Sequence, residues 1–202
     1  LTSDSLYEQL DKIPEHVDII VNNAGGDPHS KPWLDQTTQD WRETYEINVV
    51  ASERLCRLFI PKMADRGWGR IINMGSEAWR GTVGQINYGA AKAGIHAVTR
   101  IASMELQRFG ITVNALAPNA YTRMTSGLGG MGAMTEENYG PQFMAPLVCY
   151  LASDDAAHIT GQTFGVDVNH LYIYKMMTSQ GVGSVASEPW DPAKIGALID
   201  RV

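Results

Sequence analysis

Tyr88 and Lys92 stand one helical turn apart in a stretch of helical spacing, so their side chains share a face and reach the same small volume. A phenol ionises at about 10 and a nearby ammonium favours its anion, so the pair suits proton transfer. Alone it is weak evidence, because this spacing arises by chance in many helices. The surroundings strengthen it. Ser76 falls just past the strand-like run Arg70-Ile71-Ile72-Asn73-Met74, Asn22-Asn23-Ala24-Gly25 closes the run before it, and Asn48 lies mid-helix between the two. In an open α/β sheet these residues converge outside the strand C-termini, where ligands bind.

The elements that must position them follow from period. Val17-Asp18-Ile19-Ile20-Val21 is a β-branched run expected as a buried parallel strand. Apolar residues recur at helical spacing from Thr37 to Arg66 and stop at Gly67 and Gly69, before the strand at 70–74. The alternation continues with a helix from Asn87 to Phe109, closed by Gly110, and a strand from Ile111 to Ala117. A helix at 141–151 and a strand at 163–168 complete it. Such alternation predicts an α/β fold, a doubly wound (Rossmann-like) parallel sheet with helices on both faces, in a single domain covering 1–202. The glycine- and methionine-rich stretch 121–140 is expected as a substrate-lid loop, and 169–202 as a C-terminal extension. Because the chain opens at Leu1 on a helix-like stretch, Ser3 to Leu10, with no strand before it, the N-terminal strands and their glycine-rich cofactor turn are expected to be missing, roughly 60 to 80 residues in this architecture.

Composition narrows the class. Of 202 residues 44% are apolar and 19% charged, an ordinary globular balance, and the formal net charge of -6 argues against nucleic acid. No run approaches the roughly 18 apolar residues of a membrane span, and the start is no signal peptide, so no membrane partner is expected. Cys56 and Cys149 fall in apolar helical stretches and read as small core hydrophobes, which points to a reducing, cytoplasmic setting. His16, His29, His96, His158 and His170 form no ligand-spaced cluster, so no metal is expected. Gly127-Leu128-Gly129-Gly130-Met131-Gly132 matches the dinucleotide fingerprint literally, but it follows no strand directly and reads as part of the lid. A hydrolase elbow, G-x-S-x-G, is absent around Ser76.

The chain order Asn-Asn-Ala-Gly, Asn48, Ser76, Tyr88-x-x-x-Lys92, then Pro118 to Thr122, resembles the short-chain dehydrogenase/reductase family over essentially the whole chain. Gly84 to Gly94 is its most specific segment. The resemblance implies hydride transfer between NAD or NADP and an alcohol or ketone. Tyr88 would then be the acid/base and would also contact the cofactor, its pKa lowered by Lys92, which would hold the nicotinamide ribose. Ser76 would hydrogen-bond the reacting oxygen, and Asn48 would hold a water linking Lys92 to solvent. Asn22, Ala24 and Gly25 would run beside the cofactor, with Tyr121 and Thr122 near the nicotinamide carboxamide. Pro118-Asn119 departs from the usual Pro-Gly here, and the interval from Ser76 to Tyr88 is one residue short of the commonest spacing.

Pro118-Asn119-Ala120, Arg123-Met124-Thr125, Ala145 to Val148 and Trp190-Asp191-Pro192 look like the (3R)-hydroxyacyl-CoA dehydrogenase unit of peroxisomal multifunctional enzyme type 2 and its bacterial relatives. An apolar substrate is therefore expected, such as a 3-hydroxyacyl thioester, a steroid or a cyclic alcohol. A homo-oligomer, tetramer or dimer, is implied as well. The alternative is a non-catalytic subunit that packs with an active partner.

Overall fold

A computed structural model describes residues 16–122, 125, 134–182 and 190–199 of the chain. Four parallel strands, β1 (Ile19–Asn22), β2 (Gly69–Met74), β3 (Ile111–Pro118) and β4 (Thr163–Val166), lie side by side in chain order, and β5 (Leu171–Ile173) adds an antiparallel edge. The predicted α/β architecture is present, as a mixed rather than purely parallel sheet. The strand expected at 163–168 ends at Val166, and β5 was not anticipated. Among the described residues β1 pairs with β2 alone, and Ile19 and Val21 are exposed.

Side chains alternate across a strand, and here the alternation divides the core in two. Ile71 packs with Ile20, Met63, Ile111 and Val113, while its neighbour Ile72 packs with Leu116, Leu151, Phe164 and Val166. Both faces are covered, which is why β2 and β3 read as near-continuous apolar runs.

The helices that cover those faces are α1 (Thr38–Tyr45), α2 (Ala51–Arg66), α3 (Ile86–Leu106), α4 (Glu136–Tyr139), α5 (Ala145–Ala152) and α6 (Pro192–Ile199). Thr37 and Asp40 form a reciprocal capping box that starts α1 where the helical pattern starts. The expected single helix from Thr37 to Arg66 is instead α1 and α2 joined by a π turn, Glu46–Val50, that contains Asn48. The helix expected at 141–151 is a 3-10 turn, Pro141–Phe143, followed by α5. Cys56 is half-buried, but Cys149 is exposed on α5, contrary to its expected place in the core, because that short helix fully buries only Leu151. Ser3 to Leu10, Gly127 to Gly132 and half of the 121–140 lid lie outside the described residues. Among those described, no helix is long and apolar enough to cross a membrane.

Gly67 and Gly110 end α2 and the turn after α3 with φ values of 70° and 69°, the left-handed region that glycine tolerates. They differ in room. A Cβ on Gly67 meets nothing within 4 Å, whereas one on Gly110 would fall 2.1 Å from the Gly67 carbonyl oxygen. Gly67→Ala should therefore cost about 1 kcal/mol, the backbone penalty alone, and Gly110→Ala on the order of 3 kcal/mol, as read by urea unfolding. Equal costs would contradict this packing.

Candidate active site

The start of α3 is fixed by an amide. Gln85 offers no side-chain cap, but Asn87 Oδ1 accepts from the Tyr88 backbone N–H at 2.8 Å and from Gln36 Nε2 at 3.1 Å. Asn87 Nδ2 donates to Thr44 Oγ1 at 2.9 Å, tying α3 to α1. With the first turn anchored, the i, i+4 spacing turns Tyr88 and Lys92 inward together, each only 4% exposed. Lys92 Nζ donates to the Met74 carbonyl at 2.8 Å, at the C-terminal end of β2, and lies 5.5 Å from the Tyr88 ring centroid.

Burial dominates the ionisation of both groups. It lowers the Lys92 ammonium from 10.5 to about 8. It also raises the Tyr88 phenol above its ordinary value, with hydrogen bonding to Ser76 opposing and the Asp27 carboxylate adding to the rise. The net shift of the phenol is thus upward, opposite to the lowering expected from Lys92. The ammonium points at a backbone carbonyl beneath the ring, and desolvation outweighs the other influences.

Ser76 leaves β2 in an extended conformation and caps a 3-10 turn, Glu77–Arg80, with Oγ accepting from the Ala78 N–H at 3.2 Å. Helix α3 presses against this turn, since a Cβ on Gly89 would fall 2.8 Å from the Ala78 carbonyl oxygen. A cavity of about 640 Å³ opens beside the turn, lined by Trp33, Trp79, Val83 and Ile86, but it includes none of Ser76, Tyr88 and Lys92.

The loop after β1 comes close to the same place. Asn48, 1% exposed, donates from Nδ2 to the Gly26 and Thr44 carbonyls, both at 2.8 Å, and accepts at Oδ1 from the Gly26 N–H at 3.1 Å. The π turn thus aims Asn48 at the loop. A Cβ on Gly25 would lie 2.7 Å from Asn48 Oδ1 and 3.3 Å from Lys92 Nζ, so only glycine fits there without displacing them. Asn23, Ala24 and Gly25 are exposed. The Asn22 side chain turns inward instead, with Nδ2 donating to Asn73 Oδ1 at 2.7 Å, and Asn73 donates in turn to Thr99 Oγ1 at 2.9 Å. Tyr121 and Thr122 follow β3. The Tyr121 N–H donates to the Tyr139 carbonyl at 2.7 Å and the Thr122 N–H to Thr125 Oγ1 at 2.7 Å, and the structure ties neither side chain to Tyr88.

Two features escape sequence reasoning. Asp27, whose carboxylate accepts from Gln85 Nε2 at 2.8 Å, is felt by Tyr88. Glu77 accepts from the hydroxyls of Tyr172 and Tyr174. Both contacts cross long stretches of sequence and leave no periodic signal.

Similarity to known proteins covers most of the chain. The family model described as enoyl-(acyl carrier protein) reductase matches residues 2–168. A 3-oxoacyl-[acyl-carrier-protein] reductase of Synechocystis is 39% identical over 166 residues, covering 78% of this chain and 66% of the relative. The hydroxyacyl-CoA dehydrogenase ChsB1 of Mycobacterium tuberculosis is 31% identical over 196 residues, covering 91% of this chain and 62% of the relative. A crystal structure of a short chain dehydrogenase from Mycobacterium avium superposes with a TM-score of 0.77 at 31% identity, covering 98% of this chain and 68% of that one. The chain belongs to the short-chain dehydrogenase/reductase family. It spans 62% to 68% of the length of relatives such as these.

The buried ammonium makes stability depend on pH with a definite sign. Its folded pKa, about 8, lies below the 10.5 of the unfolded chain, so the unfolded state binds more protons between those values and stability rises across that window. Below it the desolvation cost is fully present. Lys92→Met should therefore stabilise the protein at pH 7 by on the order of 1–3 kcal/mol, and the gain should shrink as pH climbs towards 10.5. Denaturant unfolding at pH 7 and pH 10 checks this, and a gain independent of pH would contradict it.

Proposed function

We propose that the protein is an oxidoreductase that moves hydride between NAD or NADP and a secondary alcohol or ketone. A 3-hydroxyacyl or 3-oxoacyl thioester is the proposed substrate class. The carrying observation is the buried Tyr88 phenol over the Lys92 ammonium, with Ser76 at the end of the adjacent strand. The names of the relatives, which act on 3-oxoacyl carriers and hydroxyacyl-CoA, support the thioester. An intact Tyr88, Lys92 and Ser76 set argues against a subunit that merely packs with an active partner.

In reduction, Tyr88 donates its proton to the substrate oxygen as negative charge builds there, and the Lys92 ammonium beneath the ring stabilises the phenolate left behind. Ser76 donates a hydrogen bond to the same oxygen and fixes its direction. Burial of Tyr88 keeps it protonated until the transfer, and in oxidation the roles reverse. Asn48 and the Gly26 backbone lie on the path by which Lys92 exchanges protons with solvent. A bound nicotinamide would supply or accept the hydride. The exposed turn Asn23-Ala24-Gly25 suits its ribose side, because the missing Cβ of Gly25 lets backbone approach Lys92 closely. Asn22 holds that turn from below through Asn73, and Tyr121 and Thr122 are assigned to the carboxamide side.

Assembly as a homo-oligomer, tetramer or dimer, is supported by the apolar outer face of α3, where Val98, Ile101 and Met104 are exposed. Two free, well-separated cysteines suit a reducing cytoplasm.

The test is steady-state oxidation of NADH or NADPH by the intact protein with acetoacetyl-CoA. Tyr88→Phe should lower kcat/KM by about 100-fold or more, the usual cost of removing a general acid, with dinucleotide affinity nearly unchanged. A variant retaining a tenth of the parent value would refute the assignment.

A further inference from the structure

We propose that Tyr172 of β5 and Tyr174, just past its end, are positioning residues for Ser76, acting through the Glu77 carboxylate. The inference rests on the reading of Ser76 given above.

Strand β5 runs antiparallel to β4 with Tyr172 opposite Gly165, and the Tyr174 N–H donates to the Thr163 carbonyl at 2.9 Å, which carries the pairing one residue further. A period of two sends both tyrosines to one face. The Tyr172 ring lies flat across Gly165, where a Cβ would fall 2.1 Å from a ring carbon, so a glycine inside β4 is what lets the ring lie down. From that position both hydroxyls donate to the same oxygen, Glu77 Oε1, and they sit 3.2 Å from each other. Protonation follows suit. Hydrogen bonds from Tyr172 and then Tyr174 hold the Glu77 carboxyl below its ordinary value, and both phenols are held above theirs, so two neutral donors face one anion.

Glu77 is the first residue of the turn that Ser76 caps, so anchoring the carboxylate anchors the peptide next to the Ser76 hydroxyl. The rest of the turn is gripped as well. The Tyr174 ring meets Trp79 edge-on at 5.7 Å, Arg80 Cζ sits 5.8 Å from the Tyr174 centroid, and His96 packs on Trp79 at 4.7 Å while bonding Thr163 Oγ1 at 3.0 Å. Ala78 faces Gly89 of α3 on the other side. Since Ser76 Oγ already accepts from the Ala78 N–H, the turn decides where the hydroxyl proton can point. A displacement of about 1 Å in such a donor is enough to cost about 100-fold in rate.

The test uses the intact protein with acetoacetyl-CoA and NADH or NADPH. Tyr172→Phe combined with Tyr174→Phe keeps both rings and removes only the hydroxyls. We expect kcat to fall by about 10- to 100-fold, KM for the dinucleotide to stay within about twofold, and amide hydrogen exchange in a peptide spanning 75–82 to accelerate. Glu77→Gln, which keeps Oε1 as acceptor, should recover most of the kcat that Glu77→Ala loses. In a Ser76→Ala background the double substitution should lower kcat no further, which a merely structural role would not produce. An unchanged kcat in the double variant, or an equal loss in the Ser76→Ala background, would overturn the positioning role alone. A Ser76→Ala variant with near-parental kcat would overturn the reading of Ser76 and this inference together.

Discussion

Everything at this site is arranged around a buried ammonium. A lysine charge inside a protein is costly unless a polar group meets it, and the group that meets Lys92 is the carbonyl of Met74, where β2 ends. That contact constrains the rest. It sets how far along the sheet α3 must sit, and so places Tyr88 above the ammonium and beside Ser76. It also requires that the β1 loop approach without a side chain, which Gly25 satisfies. The depressed Lys92 pKa and the raised Tyr88 pKa are two expressions of one dry environment, in which any charge formed on the phenol is felt strongly by the ammonium.

Buried amides hold this environment together. Asn87 joins α3 to α1, Asn48 joins the π turn to Gly26, and Asn22 and Asn73 join β1 and β2 to Thr99 of α3. Each interior amide is costly if left unpaired, so each fixes the relative position of the elements it bridges more sharply than an apolar contact would. They run from the helix layer to the strand ends where the candidate site lies, and β5 extends the same logic to the far side of Ser76 through Glu77.

The sequence displayed much of this and hid specific parts for physical reasons. The β-branched runs of β1 and β2, the glycine stops at Gly67 and Gly110 and the Tyr88/Lys92 spacing are local signals, and each marked its element. The π turn was invisible because one extra residue in a helix barely changes an i, i+3, i+4 pattern. Strand β5 has only three residues, all exposed, so neither length nor burial advertised it. The Tyr88 pKa went the other way from expectation because proximity to a cation can be read from spacing, whereas desolvation depends on everything packed around the ring. Cys149 looked like core because its helix is apolar in sequence, yet the fold buries mainly one side chain of it.

The measurement that bears most directly on the buried ammonium is an NMR titration of the intact, cofactor-free protein carrying isotope-labelled lysine, with Lys92 assigned by its loss in Lys92→Met. The account predicts that Lys92 titrates near 8, well below the ordinary lysine value. A Lys92 that titrates with the others would mean that water reaches its ammonium, and the arrangement of Tyr88, Met74 and Gly25 around a dry charge would be wrong.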